Sequence, residues 1–108
     1  MDESAVFGFK DLMDSAANLQ SKLADIQDDL ARRTVTGSAG GDMVHVEING
    51  VLEVVSVKIE PSLIADGDLE MLEDLVAAAT NAAISRAKEM AAAEMSKLTG
   101  GLRLPGMV

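Results

Sequence analysis

Apolar residues in the first third of the chain recur at Phe9, Leu12, Ala16, Leu19, Leu23, Ile26 and Leu30, at alternating intervals of three and four. This heptad seam predicts one helix over residues 4–33, with an apolar edge shaped to pack on another helix. No glycine or proline interrupts it after Gly8. Thirty helical residues span about 45 Å, whereas a compact domain of this length is only about 34 Å across. The helix should therefore project, and a projecting apolar seam needs a partner.

The pattern then changes to a period of two. The β-branched run Thr34, Val35 and Thr36 begins a short first strand, and Ser38-Ala39-Gly40-Gly41-Asp42 reads as a flexible turn. Asn49-Gly50 predicts a two-residue type I′ hairpin, because that turn needs positive φ at both positions. Ile48 would then face Val51, and Val44, Val46 and Ile48 would share a face with Val51, Val55, Val57 and Ile59, broken only by Glu53. The opposite face carries His45, Glu47, Ser56, Lys58 and Glu60, with Met43, Leu52 and Val54 mixed in. A sheet over residues 34–60 follows, firmly buried on one side.

Beyond Pro61, Ser62-Leu63-Ile64 reads as a single helical turn and Asp66-Gly67 as a break. Asp68 is the expected N-cap of a second long helix over residues 68–98. Its core stripe is Leu72, Leu75, Val76, Ala79, Ala83, Ala87 and Met90, where the alanines permit close approach to a neighbour. Residues 99–108 read as a flexible tail. The prediction is one α+β domain over residues 1–108: long helix, three-stranded antiparallel sheet, long helix. The second helix can cover the sheet but leaves the seam of the first exposed, and homodimerisation is the simplest remedy.

Four blocks stand out together in this framework: Val35-Thr36-Gly37, the hairpin's Val46-x-Ile48-Asn49-Gly50, the exit Val57-x-Ile59-x-Pro61-Ser62-Leu63, and Met71-Leu72-Glu73-Asp74-Leu75-Val76-Ala77-Ala78-Ala79 followed by Asn81. In these blocks the chain resembles the YbaB/EbfC family of bacterial nucleoid-associated proteins. The resemblance covers residues 7–106. It implies a homodimer whose protruding helices give an open, tweezer-like shape. It also implies DNA binding through those helices, with effects on nucleoid organisation and gene expression.

Charge alters this picture. Nine basic residues stand against eighteen acidic ones, a formal net charge of −9, whereas nucleic-acid binders draw affinity from basic side chains that displace counterions from phosphates. The imbalance is regional. Residues 84–108 hold four basic and two acidic residues, and residues 1–83 hold five and sixteen, so a basic patch can exist on an acidic protein. Candidate phosphate contacts are Lys10, Lys22, Arg32 and Arg33 on the first helix and Arg86, Lys88, Lys97 and Arg103 in the last quarter. Each also has an ordinary structural role open to it. Asp28–Arg32 and Asp29–Arg33 are i,i+4 pairs in the favourable orientation, and bases near a helix C-terminus complement its dipole. Only two aromatics, Phe7 and Phe9, are present, which speaks against base stacking.

No catalytic or cofactor constellation is recognisable. His45 is the sole histidine and sits mid-strand, reading as a partly exposed strand residue. Glu70 and Asp74 share a helix face, where acids of a first turn offset the helix dipole. Gly37-x-x-Gly40-Gly41 lacks the lysine of a phosphate loop. Without cysteine there is no disulfide or thiolate site, consistent with a reducing cytosol. The acidic start is unlike a secretory signal, and no apolar run is long enough for a membrane span. The chain thus reads as a non-enzymatic, cytoplasmic, nucleoid-associated homodimer. It would bind duplex DNA weakly through phosphates with little sequence discrimination, and take no small-molecule substrate. The alternative is an acidic dimeric module that binds a protein partner and not DNA, with seven methionines suiting an adaptable apolar surface.

Overall fold

The computed structural model describes residues 3–65 and 67–101, with side chains described over 8–65 and 67–98. The long helix α1 runs Glu3–Arg32. The strands are β1 (Thr34–Ala39), β2 (Val44–Asn49) and β3 (Val54–Ile59); a short α2 (Pro61–Ala65) then leads into α3 (Leu69–Gly101). The sheet is antiparallel in the order β1-β2-β3. Extents of 78 × 27 × 17 Å and a radius of gyration of 21.7 Å, against about 13 Å for a compact chain of this size, reflect the projecting helices.

The core is small and lies where α3 crosses β1 and β2. Val44, Val46 and Ile48 point inward from β2 onto Ala79, Ala83 and Ala87 of α3, with Leu63 of α2 beside them. Alanine at every fourth position lets α3 lie almost on the backbone of β1. A Cβ at Gly37 would collide with Ala83 N and Ala79 O, so glycine at 37 and alanine on α3 are one packing device. Arg86 Nη1 donates to Thr36 O at 2.8 Å and occupies a carbonyl of edge strand β1. Asp68 caps α3 as expected, its Oδ1 accepting from Met71 N at 3.0 Å.

The hairpin departs from the type I′ expectation. Neither Asn49 nor Gly50 has positive φ; Leu52 does, at 65°. Asn49 N donates to Glu53 O, closing a wider turn over residues 50–53. Ile48 pairs with Val54 and not with Val51, and a bulge beside Glu47/Ile48 leaves Val55 without an opposite partner.

The reason lies in what the two residues are needed for. Asn49 is 6% exposed and its side chain organises the turn, Oδ1 accepting from Val51 N at 3.1 Å and Glu53 N at 2.9 Å. Its Nδ2 donates to Ala31 O at 3.3 Å, at the end of α1. Gly50 N donates to Leu30 O at 2.8 Å, and a Cβ at Gly50 would lie 2.8 Å from that same oxygen. Asn-Gly serves here to tether α1 to the sheet.

Two other boundaries shift. β1 continues through Gly37, Ser38 and Ala39, so the turn into β2 holds Gly40, Gly41 and Asp42, with φ of 66°, 63° and 69°. Helix α3 extends through Gly101, three residues past the expected end at Leu98. Asp66 and the rest of the expected tail, residues 102–108, lie outside the described residues.

Candidate nucleic-acid interface

Helix α1 leaves the sheet at Leu30, which is buried against Gly50, and its inner seam residues Leu23 and Ile26 are half-buried. Farther out, α1 runs beside the end of α3, where Ser15, Asn18, Leu19 and Lys22 line a shallow cleft with Leu98. Beyond that the seam is open: Phe9 and Leu12 are each 66% exposed. The projection deduced from helix length is therefore present, with α3 covering only the inner part.

The candidate basic residues divide into two sets. Lys10, Lys22, Arg32 and Lys88 are exposed and make no ion pair or hydrogen bond with the described residues. Arg33, Arg86 and Lys97 are engaged, and Arg103 lies outside the described residues. Arg33 Nη1 sits 2.6 Å from Glu94 Oε1 and 3.5 Å from Asp29 Oδ2, and Lys97 Nζ lies 3.1 Å from the same Glu94 oxygen. These contacts raise the Arg33 pKa, chiefly through the Glu94 hydrogen bond. They hold the Glu94 carboxyl below its ordinary range, the hydrogen bond from Arg33 contributing most and that from Lys97 next. The i,i+4 pair Asp29–Arg33 forms; Asp28–Arg32 does not.

At about 100° per residue, Lys10 and Arg32 share the outer face of α1 with Asp14, Asp25 and Asp28, opposite the seam. Lys88 lies on the outer face of α3, opposite its alanine stripe. The unpaired bases are thus accessible but interspersed with acids and spread over two helices. Among the described residues, the one convergence of bases from separate elements, Arg33 with Lys97, is neutralised by Glu94. Sequence reasoning missed Glu94 because it is 61 positions from Arg33 and no local pattern links them. It also passed over Lys58, exposed on the open face of the sheet.

That open face is polar. Thr36, His45, Glu47, Ser56 and Lys58 line a shallow depression, with His45 paired across to Lys58 and Glu47 to Ser56. His45 is half-buried, as expected of a strand residue. Among the described residues no group of acids and histidine could hold a metal ion, and no helix is long and apolar enough to cross a membrane.

The third strand is open in a different way. Helix α3 packs mainly on β1 and β2, so Val54, Val55 and Val57 of β3 remain 54%, 54% and 46% exposed. An edge strand with apolar side chains is a ready site for pairing. Arg86 blocks a carbonyl on the other edge, β1, and among the described residues has no counterpart on β3.

Residues 6–102 match the YbaB/EbfC DNA-binding family. A nucleoid-associated protein of Desulfotalea psychrophila is 51% identical over 96 residues, covering 89% of this chain and 91% of that one. One from Syntrophobacter fumaroxidans is 47% identical over 95 residues, with 88% and 86% covered. The crystal structure of an uncharacterized protein from Helicobacter pylori shares the fold at a TM-score of 0.59 and 24% identity, covering 68% of this chain and 86% of that one.

Proposed function

The chain belongs to the YbaB/EbfC DNA-binding family, and from that membership we propose that it binds duplex DNA as a nucleoid-associated homodimer, contacting phosphates with little regard to sequence. The carrying observation is the set of four accessible bases, Lys10, Lys22, Arg32 and Lys88, on the two long helices, unpaired among the described residues. Lysine ammonium groups and the Arg32 guanidinium on exposed flexible stems suit phosphates, contacts that position a protein on DNA but carry no sequence information. The acids among them make the binding weak and sensitive to salt. Effects on nucleoid organisation and gene expression, and a cytoplasmic location at the nucleoid, belong to the same reading, as does the absence of catalysis. Dimerisation would join two copies along β3 in this reading. The support is the exposed valines and open edge of that strand, which would place the helices of both copies around one duplex.

The test is a titration of a labelled, arbitrary duplex followed by anisotropy at increasing salt. Three phosphate contacts give a log-log slope of about −2.7, a loss of about 40-fold in affinity between about 50 and 200 mM salt. Charge reversal at Arg32 together with Lys22 should flatten that slope. Absence of binding at the lowest salt would remove the proposal. It would favour an acidic module for a protein partner, a reading supported by the exposed outer seam of Phe9, Leu12 and Met13.

A further inference from the structure

Two bases from separate elements converge on one atom. Arg33 stands at the junction of α1 and β1, and Lys97 lies on the last part of α3. Both reach Glu94 Oε1, at 2.6 Å and 3.1 Å. The side chains differ in depth: Glu94 is 17% exposed, Arg33 42% and Lys97 74%. Glu94 is thus the least exposed of the three. Each cation uses only part of its donor capacity there, since a guanidinium carries five N–H groups and an ammonium three. With Asp29 at 3.5 Å from Arg33, the four charges sum to zero, so an approaching anion meets a cluster already satisfied.

We propose that Arg33 and Lys97 form a phosphate-binding site which Glu94 fills in the free protein. The carboxylate occupies the place that a backbone phosphate oxygen would take between the two bases. This rests on the reading of the protein as a duplex binder, and it assigns to Glu94 the role of limiting affinity. An exposed ion pair is a weak competitor, because solvent and salt screen it. A phosphate held close by the unpaired bases of the same two helices can therefore displace it. The site stands beside β1, at the opposite edge of the sheet from β3, so pairing of two copies along β3 leaves it open to DNA.

Glu94→Gln is the decisive variant. Glutamine keeps the size and the acceptor oxygen that bridge α1 to α3 but removes the charge. Glu89→Gln changes an exposed acid on the same helix, without a partner among the described residues, and controls for the change in net charge alone. Duplex affinity is measured by anisotropy across a salt series, with far-ultraviolet circular dichroism to verify folding.

The expectation for Glu94→Gln is about tenfold tighter binding at low salt. Its slope should steepen by about one to two units, one for each phosphate newly neutralised. Adding Lys97→Gln should remove at least half of the gain, and Glu89→Gln should give little of it. If wild type binds and Glu94→Gln matches Glu89→Gln in affinity and slope, Glu94 is only a strut between helices and the proposal fails, while duplex binding stands. If wild type does not bind at the lowest salt, the duplex reading fails, and the phosphate site with it.

Discussion

Adding one methyl group at Gly37 should cost this protein a large part of its stability. In Gly37→Ala the new Cβ would overlap Ala83 N and Ala79 O and lie 2.8 Å from Ala83 Cα. All three atoms belong to the backbone of α3, so no side-chain rotation relieves the contact. Restoring ordinary separation requires α3 to retreat by roughly an ångström, and a gap of that size forfeits a quarter to a half of each dispersion contact it opens. Those contacts are most of the core, since Ala79, Ala83 and Ala87 meet Val44, Val46 and Ile48 across the same interface. Overpacking of a tight core typically costs about 1–3 kcal/mol, and the rigid partner puts this case near 3. A domain of this size has about 5–15 kcal/mol in total, and the loss corresponds to a fall in Tm of about 12 °C or more. Thermal melts by far-ultraviolet circular dichroism suit the measurement, because the chain has neither Trp nor Tyr. Protein concentration must be held constant, since any self-association adds to apparent stability. Gly8→Ala is the control: it lies in α1 with nothing within 4 Å and should stabilise by about 0.5–1 kcal/mol through helix propensity. A Gly37→Ala melt within about 2 °C of wild type would refute the packing argument.

Asn49→Ala removes the acceptor of two backbone N–H groups and the donor that ties the turn to Ala31 O; chemical denaturation should show a loss of about 2–4 kcal/mol. The depressed Glu94 pKa makes a prediction about acid. A carboxyl whose folded pKa lies below its unfolded value of 4.5 contributes stability that is complete above that value and lost as pH falls through the folded one. Stability should therefore decline below about pH 4.5 less steeply in Glu94→Gln than in wild type, and parallel pH profiles would contradict the assigned ion pairs. On β3, Val57→Lys leaves the core untouched, since Val57 is 46% exposed. If β3 joins two copies, sedimentation should show a shift toward monomer at micromolar concentration with the fold intact; an unchanged dimer would place the interface elsewhere.

Much of this architecture was legible from local pattern. The inner heptad positions Leu23, Ile26 and Leu30, the period-two run of β2 and the alanine stripe of α3 each report which side of an element is covered, because periodicity within one element is a property of neighbouring residues. The cap at Asp68 was legible for the same reason, and helix length alone required α1 to project. Other features depended on what an element meets. Asn49-Gly50 has the composition of a tight hairpin, yet contact with the end of α1 at Ala31 and Leu30 overrides that preference and widens the turn. Alternation predicted an inward face for β3, but α3 crosses only two strands, and its valines were left open. The candidate bases were all identifiable as residues. Which of them are free was decided by tertiary packing, which brings Glu94 to Arg33 across 61 positions and Arg86 to the edge of β1. Charge pairing across such distances has no periodic signature, so only the folded chain separates an available cation from one already satisfied.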